Sequence, residues 1–214
     1  TGVALSRQDL DVFVFGGDGD AFSIGGNHFN HCARKNVNLT YVVMDNYVYG
    51  LTKKQTSPTS PIGFKSKTDM WGAVDKPINP IKQTIGAGAT FVARTTHTNP
   101  KHLLSMMEAA MDHKGFGFIE CLSECTEFYN GAFDSSNPRK GGEFKEIPED
   151  HDPTDELAAY QLAEELVPGH FGIFYQISRP SKQDKEAEVN AKFLEKTKGL
   201  EDWEILQQNF DKMK

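Results

Sequence analysis

Hydrophobic residues between positions 11 and 122 come in short runs, each bounded by glycine, asparagine or proline. Asp11-Val12-Phe13-Val14-Phe15 runs into Gly16-Gly17-Asp18-Gly19-Asp20, which predicts a buried strand entering a glycine turn. Ile24 to Lys35 has helical spacing, with Ile24, His28 and Cys32 on one face. Arg34 and Lys35 lie in its last turn, and Asn36 and Asn38 close it. Leu39-Thr40-Tyr41-Val42-Val43-Met44 predicts a second strand. Such near-continuous apolar runs suit parallel strands covered on both faces. Strand, helix and strand in this space make one βαβ unit with a right-handed crossover.

From Tyr49 to Pro80 the pattern is irregular and broken by Pro58, Pro61, Pro77 and Pro80, and a loop of that length is usually functional. Ile81–Gly86 predicts a short helix and Thr90–Arg94 a third strand. A helix from Pro100 to Asp112 carries Leu103, Leu104, Met107 and Met111 as its apolar stripe. Gly117–Leu122 predicts a fourth strand, and the β-α-β rhythm argues an α/β domain with a mostly parallel sheet and helices on both faces. Beyond Asn130 come a polar loop over Asn137–Gly142, a helix over Asp155–Glu165 behind a Thr154 cap, and a late strand over Gly172–Ile177. Ser181 to Lys214 is charged and helical, with Phe193, Leu194, Trp203 and Leu206 along it. It reads as a C-terminal arm packed on a partner or on the domain surface. The expected division is a domain over 1–130 and an extension with a helical arm over 131–214.

The chain has 214 residues, long enough for one large domain or a domain plus an arm. Its 30 acidic and 23 basic side chains leave a net charge of −7, the wrong sign for general nucleic-acid binding. No apolar run approaches the roughly 20 residues that span a bilayer. The three cysteines, Cys32, Cys121 and Cys125, cannot make a disulfide framework and suit a reducing cytoplasm. His97 and His102 have no metal-ligand spacing, and His113 and His151 read as surface residues.

Two segments stand out chemically. A glycine turn between a strand and a helix brings backbone N–H groups to an anion. Asp18 and Asp20 would repel a bare phosphate, so the pattern makes sense if a divalent cation bridges Asp18 to a diphosphate. The second segment, Asp45-Asn46-Tyr47-Val48-Tyr49-Gly50, closes the next strand, and ligands of open α/β sheets sit outside such carboxyl ends. Asp18, the Asn46 amide and the Val48 carbonyl offer three oxygen ligands. Each segment alone also reads as an ordinary turn.

Together they are more specific. Asn46 stands 28 residues after Asp18, and Gly-Asp-Gly, strand-helix-strand, Asn resembles the cofactor motif of thiamine-diphosphate enzymes. Ile24-Gly25-Gly26-Asn27-His28, Asn46-Tyr47-Val48-Tyr49-Gly50-Leu51-Thr52-Lys53, Gln55 and Ser57-Pro58-Thr59-Ser60 narrow the likeness. These resemble the β subunit of 2-oxoacid:ferredoxin oxidoreductases, the 2-oxoglutarate type most closely, from Thr1 to about Asn130.

The resemblance implies a thiamine-diphosphate-binding fold and a division of roles. Asp18, Asn46 and the Val48 carbonyl would bind Mg²⁺. Gly17, Gly19 and Asp20 would lie against the diphosphate, with His28 following the turn and Gly50 and Leu51 beside the cofactor. Lys53 would hold the distal carboxylate of 2-oxoglutarate, and Lys54 replaces a glycine common there. Cys125, in Leu122-Ser123-Glu124-Cys125-Thr126, would be the fourth ligand of a [4Fe–4S] cluster, with Cys121 a core thiol. The other three ligands of the family precede the cofactor motif and have no counterpart here, so either the chain is entered partway through, which is the expectation, or the cluster has been lost. The implied reaction is oxidative decarboxylation of a 2-oxoacid to an acyl-coenzyme A, with electrons passed to ferredoxin and an α subunit completing the active site. A pyruvate or branched-chain type of the same family, or a non-catalytic structural subunit, fits the same residues.

Overall fold

The computed structural model describes residues 1–165 and 169–213. In chain order the elements are α1 (Gly2–Ser6), β1 (Phe13–Gly17), a π-helical turn (Asp20–Ile24), α2 (Gly26–Arg34), β2 (Leu39–Asp45), β3 (Val48–Tyr49), β4 (Gln55–Thr56), α3 (Pro80–Gly86), β5 (Phe91–Thr96), α4 (Pro100–Asp112), β6 (Phe116–Leu122), α5 (Glu156–Leu162), β7 (Gly172–Gln176), α6 (Lys182–Lys196) and α7 (Asp202–Asp211). The five-stranded sheet runs β1-β2-β6-β5-β7. The first four strands are parallel, and β7 joins β5 antiparallel.

The core lies on both faces of the sheet. Phe29, Cys32 and Ala33 of α2, Ile81 and Ile85 of α3 and Ala159 of α5 pack one face around Val43, Phe116 and Phe118. Leu103, Met107 and Ala110 of α4 cover the other around Val42, Phe91 and Ile119. A sheet sandwiched this way needs apolar residues on consecutive strand positions, which β5 and β6 supply by being buried along their whole length. Asn36 ties the layers together. Its Nδ2 donates to the Arg179 and Pro180 carbonyls, and its Oδ1 accepts from Thr90 Oγ1 and the Phe116 N–H.

Several local expectations change. β1 is an edge strand, so Phe15 is 60% exposed rather than buried. The predicted 24–35 helix starts at Gly26, after a π-turn that holds Ile24, and α2 buries Phe29, Cys32 and Ala33 while Ile24 and His28 face outward. On α4, Leu104 and Met111 are exposed and Met106 joins the buried stripe. Asp155, not Thr154, caps α5 by accepting from the Leu157 and Ala158 N–H groups, and the helix ends at Leu162. Thr154 instead bonds Asp152. The 49–80 loop contains the β3–β4 hairpin.

The arm is two helices with Gly199 between them at φ 83°. Its start is anchored: Gln183 bonds the Ala4 carbonyl and the Asn38 N–H. Phe193, Leu194, Trp203 and Leu206 stand exposed rather than packed on the domain. Its expected end at Lys214 lies outside the described residues. Among the described residues no helix is long and apolar enough to cross a membrane.

Candidate functional site

The parallel register sets Gly17 beside Met44, so β1 and β2 release Asp18 and Asp45 side by side at the carboxyl edge of the sheet. Asp18 is 2% exposed, and its Oδ2 accepts from Thr59 Oγ1 at 2.8 Å. Among the described residues no protein group bonds its other oxygen, which is not sealed from solvent. One oxygen is thus pinned and one left free, the arrangement a monodentate metal ligand needs. Beside it, Asn46 Oδ1 accepts from the Val48 N–H at 3.1 Å and keeps a second lone pair. Tyr47 between them is buried at φ 62°, a left-handed conformation that a bulky residue adopts only under constraint from its surroundings.

The glycine turn is shaped by close approach. Tyr49 Oη donates to the Gly19 carbonyl at 3.3 Å, and a Cβ on Gly19 would overlap the Tyr49 ring. Gly19 is therefore needed for space, its φ of −65° being open to any residue. Asp20 is exposed and accepts from Tyr41 Oη at 3.5 Å. Burial and then the Asp20 charge push the Tyr41 hydroxyl up to about 12. A cavity of about 380 Å³ adjoins Tyr49 and is lined by Ser23, Ser57, Ser60, Asp69 and Lys76.

Beneath the turn lies a charged cluster. Asp45 is fully buried; its Oδ1 meets Thr59 Oγ1 at 2.8 Å and the Tyr47 N–H at 3.1 Å, and its Oδ2 has no partner. Burial, then the Asp18 and Glu120 charges, pushes its carboxyl well above the usual range. Glu120 accepts from Arg94 Nε at 2.6 Å, both side chains 1% exposed. The Arg94 guanidinium also lies 5.3 Å from the Phe174 ring centroid.

Reading along the sequence assigned Thr59, Arg94 and Glu120 no role in the site. A signal existed for the last two: each is the lone charge in an otherwise uncharged strand, and the charges are opposite.

Gly50, Leu51 and Lys53 form the tip of the β3–β4 hairpin, where Leu51 is 99% exposed and Lys53 sits at φ 63°. Lys54, at φ 71°, holds the conformation that glycine adopts without cost. His28 is exposed on α2 rather than part of the core. Cys125 is half-buried, in a loop where Glu124 accepts from the Gly131 N–H. Cys121 is fully buried, its thiol raised to about 12 by burial and by Glu120, as a core thiol should be. His113 and His151 are not free surface residues: their Nε2 atoms bond Thr90 Oγ1 at 2.7 Å and the Phe174 carbonyl at 2.8 Å.

Among the described residues no three His, Cys, Asp or Glu side chains gather as a metal group. What the sheet edge offers is mixed: one carboxylate, one amide and one backbone carbonyl. An all-oxygen set suits a hard divalent cation that keeps further ligands from a phosphate or water. The donors therefore fit Mg²⁺ at a diphosphate.

Comparison with known proteins shows the family. Residues 1–121 match the family of thiamine pyrophosphate enzymes described by its C-terminal TPP binding domain. The 2-oxoglutarate oxidoreductase subunit KorB of Mycobacterium tuberculosis is 44% identical over 151 residues, 71% of this chain and 40% of that protein. The 2-oxoglutarate synthase subunit KorB of Methanocaldococcus jannaschii is 43% identical over 136 residues, 64% of this chain and 50% of that protein. The chain thus spans half or less of these curated relatives' length. A solved 2-oxoglutarate:ferredoxin oxidoreductase from Magnetococcus marinus, with 2-oxoglutarate, coenzyme A and succinyl-CoA bound, superposes with a TM-score of 0.86 at 38% identity. That match covers 97% of this chain and 70% of the other.

Proposed function

The chain belongs to the thiamine pyrophosphate enzyme family through its TPP-binding domain, and from that premise we propose that it is the β subunit of a 2-oxoglutarate:ferredoxin oxidoreductase. The observation that carries this is the placement of Asp18, Asn46 and Val48 on one sheet edge beside a turn with no room for a side chain at Gly19. Thiamine diphosphate, when bound, supplies the electron sink for loss of carbon dioxide from a 2-oxoacid. The protein's part is to hold and orient it. Asp18, the Asn46 amide and the Val48 carbonyl hold Mg²⁺, and Gly17, Gly19 and Asp20 border the diphosphate. Gly50 and Leu51 flank the cofactor, and His28 lies beyond the turn.

Lys53 projects from an exposed tip, where its ammonium meets the distal carboxylate of 2-oxoglutarate. Cys125 would be one thiolate ligand of a [4Fe–4S] cluster, which would supply one-electron transfer toward ferredoxin; one thiolate alone does not hold such a cluster. The loop after the site exposes Leu51, Ile62, Met70, Trp71 and Val74, an apolar surface that supports coverage by an α subunit. Coenzyme A is the acyl acceptor, and the three free cysteines suit a cytoplasmic location.

The test uses the full-length chain assembled with its α subunit. Calorimetry with Mg²⁺ and thiamine diphosphate is expected to give saturable binding that Asp18→Ala and Asn46→Ala abolish. Unchanged affinity in both variants means the metal site is wrong. Assays with 2-oxoglutarate, pyruvate and branched-chain 2-oxoacids choose the substrate. Indifference to Lys53→Ala would remove the distal-carboxylate role.

A further inference from the structure

The segment Ser57-Pro58-Thr59-Ser60 bonds Asp18, Asp45 and Tyr47, the residues that are or adjoin the proposed metal donors. Ser57 and Ser60 close it as a turn: the Ser60 N–H donates to the Ser57 carbonyl at 3.1 Å, and the Ser57 N–H to Ser60 Oγ at 2.8 Å. A backbone bond from the Ile78 N–H to the Pro58 carbonyl fixes the turn to the chain leading into α3. Thr59 and Ser60 are both buried, at 3% and 2% exposure. Thr59 Oγ1 reaches Asp18 and Asp45 at 2.8 Å each, and Ser60 Oγ donates to the Tyr47 carbonyl at 2.6 Å.

We propose that Thr59 is the positioning residue of the metal site, with Ser60 as its second brace. Thr59 bridges the ends of β1 and β2. It sets the rotamer of Asp18, so that one carboxylate oxygen is occupied and the other points free. Ser60 holds Tyr47 in its left-handed turn, which puts the Asn46 amide and the Val48 carbonyl on either side of it. Neither hydroxyl touches the ion; both fix the groups that do. Outer-shell partners of this kind typically change metal affinity about 10–100-fold when removed. The inference rests on the Mg²⁺–thiamine diphosphate reading of the site.

Thr59→Val keeps the shape and removes the bridging oxygen; Thr59→Ser keeps the oxygen. The assembled enzyme is titrated with Mg²⁺ at fixed thiamine diphosphate, followed by calorimetry and, with Mn²⁺ replacing Mg²⁺, by electron paramagnetic resonance. The expected result is a Mg²⁺ midpoint raised about 10–100-fold in Thr59→Val with a changed Mn²⁺ spectrum, and a wild-type midpoint in Thr59→Ser. A Thr59→Val midpoint equal to wild type overturns the proposal, even if its melting temperature falls, because that is a structural role alone. If Thr59→Val does not assemble, Thr59→Cys decides. A raised midpoint there beside a normal Thr59→Ser supports the proposal, and a normal one overturns it. Failure of the wild-type enzyme to bind thiamine diphosphate with Mg²⁺ would instead remove the functional reading, an outcome distinct from any variant result.

Discussion

Removing Arg94 should destabilise the fold more than neutralising its partner. Arg94 and Glu120 face each other across β5 and β6 with a 2.6 Å contact and no solvent access. Losing one partner of such a pair costs about 3–5 kcal/mol, because the other stays charged and dry. Here the two losses are unequal. Arg94→Met leaves Glu120, Asp45 and Asp18 buried together with no cation among them. Glu120→Gln removes one of the two charges that push Asp45 upward, while Arg94 keeps the Phe174 face and the Glu165 carbonyl, 3.4 Å from its Nη1.

Urea unfolding followed by far-UV circular dichroism reads the difference. With a slope of roughly 2–3 kcal/mol per molar, Arg94→Met should lower the midpoint by about 1–2 M, Glu120→Gln by clearly less. A double variant, Arg94→Met with Glu120→Leu, should recover much of the loss. Equal midpoints for the two single variants, or a larger drop for Glu120→Gln, would refute the carboxylate-crowding argument.

Three further outcomes are expected. Gly115→Ala should cost at least about 2 kcal/mol, measured by the same unfolding curve. Gly115 sits at φ 137°, and a Cβ would lie 2.5 Å from Asn36 Oδ1 and 2.7 Å from Thr90 Oγ1. Asp184 is the third residue of α6 and closes a capping box with Ser181 at its N-cap, and its hydrogen bond from Lys114, with those from Ser181, holds its carboxyl down to about 2. A depressed carboxyl stabilises the fold above its unfolded pKa of about 3.9 and loses that contribution as pH falls toward about 2, so the stability gap between wild type and Asp184→Asn should close across that window. Cys121 should resist iodoacetamide at pH 8 in the folded chain, with mass spectrometry placing label on the half-buried Cys125 instead; modification of native Cys121 would contradict its burial.

The order of the main sheet and its flanking helices was legible because these are announced locally. Asn79-Pro80 and Asn99-Pro100 mark the starts of α3 and α4, where the asparagine side chains accept from the Lys82 and His102 N–H groups. Thr90–Arg94 and Gly117–Leu122 fell within one or two residues of β5 and β6. The glycine turn and the end of β2 were legible for the same reason: type and spacing of residues within one βαβ unit. The α2 face was misjudged because the π-turn over Asp20–Ile24 shifts the helical phase, which spacing counted from Ile24 does not register.

What the sequence alone determined, then, was the local part: strands and helices in order, an α/β class, and an oxygen-rich pair of loops at two strand ends. Tertiary structure decided which strand lies at the edge, that β7 runs antiparallel, and which buried groups meet. Thr59 lies 41 residues from Asp18 and 14 from Asp45, and Arg94 lies 26 from Glu120. Contacts at such separations depend on strand register and on how a loop folds back over the sheet. Periodicity carries no record of either, because it reports only which side of its own element a residue faces.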